Sequence, residues 1–159
     1  MERRRFLRGA GLGGVATAGA LAAPALAQDV KEASVVSTWP RDFPGLGLSA
    51  QRLVERINEL SDGKINLTYY AAGERVGAFD SFDEVASGNS QAYIAADYYW
   101  AGKHPGFAYF TSVPFGMTTP EWNAWVKFGG GQELWDELSA PFNIKPFAAG
   151  NSTHQLGGW

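Results

Sequence analysis

Two histidines, no cysteine and two short polar or aromatic clusters hold most of the chemistry-bearing residues of the sequence. The lack of cysteine excludes disulfides, thiolate nucleophiles and Cys-type metal sites. His104 and His154 stand in no H-E-x-x-H or similar ligand spacing. A Ser–His–Asp triad is compatible with the composition, but no G-x-S-x-G elbow accompanies it, and His104 sits between Lys103 and Pro105 in an expected surface loop. Gly9-Ala10-Gly11-Leu12-Gly13-Gly14 matches G-x-G-x-x-G only formally, because no strand precedes it. Asp97-Tyr98-Tyr99-Trp100 is more promising. The hydroxyls of Tyr98 and Tyr99 can donate to a carboxylate or carbonyl, and Trp100 can wall a pocket. The alternative is that these aromatics pack the core. Asn151-Ser152-Thr153-His154-Gln155 supplies amides that both donate and accept, which suits a carboxylate or a bound cation; the alternative is an ordinary solvated loop.

Elements must position these clusters. Ser34-Val35-Val36-Ser37-Thr38-Trp39 is a β-branched run stopped by Pro40 and predicts a strand. Pro44, Gly45 and Gly47 mark a loop. Leu53, Val54, Ile57 and Leu60 then recur at helical spacing, and Asp62-Gly63 ends that helix. Ile65, Leu67 and Tyr69 alternate with polar neighbours as a second strand. A short helix is expected from Ala78 to Ala86, a third strand from Gln91 to Ala96 and a fourth from Phe107 to Thr111. Thr119 is the expected N-cap of a helix through Trp122, Trp125 and Val126. Gln132 to Leu138 continues as a helix, and Ile144 to Ala148 is a last strand. Strands alternating with helices imply an α/β fold with a parallel sheet, because parallel strands need crossover connections. In such sheets small ligands sit beyond the carboxyl ends of the strands. The loops after Trp39, Ala96 and Ala148 are therefore the expected site, and the two clusters open the latter two.

The amino terminus reads differently. Arg3-Arg4-Arg5-Phe6-Leu7-Arg8 precedes a weakly apolar Gly/Ala-rich run from Gly9 to Leu26, and Ala25-Leu26-Ala27 fits the small-x-small cleavage rule. A charged start, an apolar middle and an A-x-A end form a secretory signal, and the paired arginines indicate the twin-arginine (Tat) route for folded proteins. A membrane anchor is the alternative; the run is about 18 residues, near the lower limit for a span. Removing 27 of 159 residues leaves 132, enough for one domain with a core. It also leaves 9 basic and 15 acidic residues from totals of 13 and 16, a net charge of −6. That balance argues against nucleic acid or an anionic membrane as partner. Aromatics make up 14% of the chain, a content suited to enclosing a small ligand.

Several segments together resemble the solute-binding subunit (DctP type) of TRAP, or tripartite ATP-independent periplasmic, transporters. They are Ser37-Thr38-Trp39-Pro40, Gly73-Glu74-Arg75-Val76 with Phe79, Phe82, Asp83 and Val85, Ala95 to Trp100, Val113-Pro114-Phe115-Gly116, and Gly150-Asn151 with Gln155 to Trp159. The similarity is greatest to the branch that binds pyruvate-like 2-oxo acids and other monocarboxylates. It implies a type II clamshell of the periplasmic-binding-protein kind, with residues 1–27 as signal and 28–159 as the first lobe and the start of the crossover to the second. A mixed, mostly parallel sheet is expected, with most of the second lobe beyond Trp159. By position, Gln155 matches a glutamine that reaches both cation and ligand, Tyr98 and Tyr99 match an aromatic face near the ligand, and Asn151 neighbours them. Trp39 ends the first strand where the cleft should be, although a core position would suit it equally. The ligand-pairing arginine and an acidic cation ligand are expected beyond Trp159, so this chain by itself is expected to bind weakly. The resemblance further implies a periplasmic location, Na⁺ or Ca²⁺ bridging the ligand carboxylate, membrane permease subunits as partners, a homodimer in some relatives, and no catalysis.

Two other classes compete with this reading. An exported hydrolase or cofactor-bearing oxidoreductase would need a nucleophile, base or cofactor motif, and none is found; coloured or metal-bearing protein would favour it. A carbohydrate-binding module would stack sugars on Trp122, Trp125 and Trp135, although their spacing suits buried helix faces. The signal reading has its own check: amino-terminal sequencing of exported protein is expected to start at Gln28, and a start at Met1 would favour the anchor.

Overall fold

A computed structural model describes residues 30–151. The signal segment, the G-x-G-x-x-G match, His154 and Gln155 lie outside the described residues. Strand β1 spans Lys31–Ser37, helix α1 Leu46–Leu60, β2 Ile65–Tyr70, α2 Ser81–Ala86, β3 Ala92–Ile94, α3 Thr119–Phe128 and α4 Gly131–Ser139. The three strands pair only in parallel, in the order β2-β1-β3. Lys31 to Val36 face Ile65 to Tyr70 on one edge of β1, and Val35 to Ser37 face Ala92 to Ile94 on the other. Of the mixed, mostly parallel sheet expected, the parallel part is what the described residues contain.

β1 is central, so its carboxyl half is buried on both faces: every residue from Ser34 to Thr38 is inside. Gln91 satisfies Ser34 of this run, its Oε1 accepting from the Ser34 N–H at 2.8 Å and from the Ser34 hydroxyl at 3.1 Å. β2 is an outer strand. Asn58 of α1 covers its free edge, donating to the Leu67 carbonyl at 2.9 Å and accepting from the Leu67 N–H at 2.7 Å, as a neighbouring strand would. Helix α1 turns Ala50 and Val54 inward and begins close against the preceding loop. Gly47 lies in its first turn because a Cβ there would come within 2.5 Å of the Pro40 carbonyl oxygen.

Phe82 of α2, Trp100 and Phe107 form an aromatic cluster, with Tyr93, Leu138, Phe142 and Ile144 packed against it. Phe82 meets Trp100 at 5.1 Å, Phe107 at 5.6 Å and Phe142 at 5.3 Å between ring centres. Among the described residues no helix is long and apolar enough to cross a membrane.

Three expectations are corrected. In place of the expected fourth strand, Phe107 to Thr111, the chain forms a 3₁₀ helix over Pro105–Phe110 with Thr111 just past its end. Pro105 fixes the first φ, and the His104 Nδ1 accepts from the Gly106 N–H at 3.0 Å, so a helical turn is capped where a strand was expected. Ile144 to Ala148 has no ladder partner among the described residues. The Gln132 amide takes the Pro146 carbonyl at 3.0 Å, and Lys145 pairs with Asp136 of α4. The N-cap of α3 is Thr118, one residue early, whose N–H donates to the Glu121 carboxylate at 2.8 Å. Gly47→Ala is expected to cost about 1–3 kcal/mol through overpacking against Pro40 and Phe43. Urea unfolding would show it as a lower midpoint, and an unchanged midpoint would contradict the close packing.

Candidate functional site

The order β2-β1-β3 reverses direction at β1, so the chains leaving the carboxyl ends of β1 and β3 emerge side by side. That divergence is where open α/β sheets hold small ligands. Trp39 lies two residues beyond β1, and Asp97–Trp100 form a 3₁₀ turn shortly after β3. The structure brings two of the candidate residues together: the Trp39 Nε1–H points to the Tyr99 hydroxyl at 3.4 Å, across 60 residues of sequence. The Tyr98 and Tyr99 rings lie 4.6 Å apart at 68°, and Phe79 meets Tyr99 edge-on at 5.4 Å. The three candidate aromatics, Trp39, Tyr98 and Tyr99, are half-buried. They form the rim of a surface while the core lies behind them.

Trp39 is held by its backbone as well. Its N–H donates to Ser37 Oγ at 3.1 Å, and its carbonyl accepts from the Ala72 N–H, beyond β2, at 3.0 Å. The Thr38 N–H reaches the Ile94 carbonyl at 3.3 Å. The segment after β1 is thus tied to the segment after β2 and to the last residue of β3. Asn151 is exposed at the end of the described chain, and among the described residues no contact places it beside the aromatics.

Trp100 departs from the expected pocket wall. It is 4% exposed, sits in the aromatic cluster, and donates its indole N–H to the Phe79 carbonyl at 3.0 Å. In a tight 3₁₀ turn its inward anchoring leaves Tyr98 and Tyr99 at the rim. The neighbouring Asp97 carries a role that the sequence did not assign. Its carboxylate is buried and accepts the Trp135 indole N–H of α4 at 2.5 Å. Burial pushes its pKa up to about 6, and the Trp135 bond opposes that rise only in part. Burial also raises the Tyr93 phenol, with the Asp97 charge adding to it. The sequence signal for Asp97 was an acidic residue between a strand and three aromatics; its partner, 38 residues away, had none.

The tryptophans of α3 and α4 pack as helix faces should. Trp125 and Trp135 both stack on Phe110, at 5.6 Å and 5.1 Å, and Trp122 meets Trp135 edge-on at 6.0 Å. His104 serves as the cap already described.

The sequence between residues 36 and 156 matches the family described as bacterial extracellular solute-binding protein, family 7. A monocarboxylate 2-oxoacid-binding periplasmic protein of Nostoc sp. is 34% identical over 125 residues, 79% of this chain and 34% of that protein. A TRAP periplasmic solute-binding protein of Colwellia psychrerythraea, solved with calcium and pyruvate, is similar with a TM-score of 0.78 and 34% identity, over 82% of this chain and 40% of that one. A TRAP periplasmic solute-binding protein of Pseudoalteromonas atlantica, solved with sodium and pyruvate, has a TM-score of 0.70 and 36% identity, over 73% and 35%. The chain therefore spans about a third to two-fifths of the length of these relatives.

The buried carboxylate gives a signed pH dependence. The folded state holds the Asp97 proton more tightly than the unfolded state, whose value is near 3.8. Stability from the protonated form is complete below about 3.8 and is lost as pH rises through about 6, a change of up to about 3 kcal/mol at about 1.4 kcal/mol per unit. Asp97→Asn keeps an acceptor for Trp135 without the charge. Denaturant unfolding is expected to show this variant gaining on the wild type between pH 4 and pH 7; a pH-independent difference would contradict the assignment.

Proposed function

The chain belongs to the bacterial extracellular solute-binding proteins of family 7, and on that premise we propose that it supplies the first lobe of a TRAP transporter's periplasmic binding component. Its ligand in this reading is a small monocarboxylate of the 2-oxo acid class, with pyruvate the first choice. The observation that carries the reading is the meeting of Trp39 and Tyr99, by an indole N–H to hydroxyl contact of 3.4 Å, beyond the carboxyl ends of β1 and β3. The pyruvate and the sodium or calcium bound by the related structures point to the same ligand class.

In this proposal Tyr98, Tyr99 and Trp39 form the aromatic wall of the cleft, and Asn151 and Gln155 supply amides. Gln155 also reaches a bridging Na⁺ or Ca²⁺. A carboxylate entering a cleft loses hydration, so a guanidinium and the cation must restore its charge partners as the lobes close about a hinge. No bond is made or broken. The closed form would dock on membrane permease subunits and release its ligand to uptake driven by an ion gradient. Residues 1–27 would direct Tat export to the periplasm, and residues 28–159 would begin the mature protein. Homodimer formation belongs to the same proposal, in keeping with a related protein of Bordetella bronchiseptica described as a dimer.

Calorimetry of the complete gene product with pyruvate, in Na⁺ and in Ca²⁺, tests the ligand class. Binding is expected, and Tyr99→Phe, which removes the acceptor of the Trp39 indole, is expected to weaken it about fivefold, the worth of one hydrogen bond of about 1 kcal/mol. Absence of heat with any 2-oxo acid in either cation would overturn the proposal.

A further inference from the structure

Arg41 and Glu74 close a circuit of bonds behind the site. The Arg41 Nε donates to one Glu74 carboxylate oxygen at 2.6 Å, and its terminal nitrogen donates to the other at 2.5 Å and to the Tyr69 carbonyl at 3.3 Å. The guanidinium also lies 5.3 Å from the Tyr69 ring centre. The same Glu74 oxygen accepts from the Ala71 N–H at 2.9 Å. The next residue, Ala72, donates its N–H to the Trp39 carbonyl at 3.0 Å. From Trp39 only Pro40, with its φ fixed by the ring, leads back to Arg41. The circuit therefore runs Trp39, Ala72, Ala71, Glu74, Arg41, Pro40 and returns to Trp39.

We propose that Arg41 and Glu74 are positioning residues, which fix where Trp39 stands at the ligand site without touching its ring. The role rests on Trp39 being part of the ligand wall, as set out above. An ion pair as exposed as this one, at 47% and 35% of the two side chains, adds little to stability. Its two-pronged geometry instead fixes distance and direction. Arg56 and Glu59, by contrast, make one contact within a single helix and join nothing distant. The Arg41 fork holds the Glu74 carboxyl at about 2, aided by the Ala71 N–H, so the anion the fork requires is present at neutral pH.

The test is nitrogen-15 NMR of the indole N–H groups in the chain, with Trp39→Phe assigning the Trp39 signal. Glu74→Gln removes the charge, Arg41→Lys keeps a charge but loses the fork, and Tyr99→Phe marks the position of an indole without its acceptor. Both clasp variants are expected to move the Trp39 signal toward that of Tyr99→Phe. The signals of Trp100, bonded to Phe79, and Trp135, bonded to Asp97, are expected to stay in place. A stationary Trp39 signal, or full rescue by Arg41→Lys, overturns the proposal. In the complete gene product both variants are expected to weaken pyruvate binding about tenfold. Unchanged affinity beside a binding wild type also overturns it. A wild type that binds no 2-oxo acid counts instead against the ligand reading, and the indole signals then decide the clasp by themselves.

Discussion

β1 pairs in parallel on both edges, and the arrangement of the molecule follows from that constraint. A parallel pair cannot be closed by a hairpin, so each ladder demands a crossover. The first crossover is α1; the second carries the chain from β2 past β1 to β3 and includes α2. Because the two neighbours lie on opposite edges, the segments leaving β1 and β3 are released next to each other. Trp39 and Tyr99 are brought together by this topology and by no local pattern. Burial on both faces puts polar side chains inside at the end of β1, where Gln91 serves Ser34 and Ser37 accepts the Trp39 N–H, while the Thr38 hydroxyl has no partner among the described residues.

β3 is only three residues long, and a ladder that short cannot hold the following turn by itself. The aromatic cluster does so. Phe82, Phe107 and Phe142 meet one another at 5.3–5.6 Å, and Trp100 joins them on Phe82 at 5.1 Å. This fixes the turn through its last residue and leaves the two tyrosines before it at the surface. The same inward pull buries Asp97, whose carboxylate would prefer water. Trp135 supplies one hydrogen bond in return, so the turn that presents the tyrosines is also tied to α4. The raised carboxyl shows that the compensation is incomplete. Beside the proposed site, a buried and partly compensated charge is the kind of perturbed group that functional sites often carry.

The described part of the proposed site is aromatic and hydrogen-bonding. Its groups can shape a cleft and orient an oxygen, but they bring no formal positive charge to balance a carboxylate. In the proposed clamshell that task falls to residues that close over this lobe.

The sequence by itself determined most of the elements and where the site should be sought. Periodicity placed α1, β2, α4 and the short helix ending at Ala86 to within a few residues, because each is governed by neighbours three or four residues away, or two in a strand. The quoted segments identified the family, and the rule for open α/β sheets pointed to the turns after β1 and β3. Tertiary structure decided the rest. It set the order β2-β1-β3, brought Trp39 to Tyr99, left Ile144 to Ala148 without a strand partner among the described residues, turned Trp100 into the core, and joined Asp97 to Trp135 and Arg41 to Glu74. Those outcomes depend on groups 21 to 60 residues apart or on whether a neighbouring edge exists at all. Local spacing carries no record of such meetings, since they arise only when crossovers and burial force distant residues into one place.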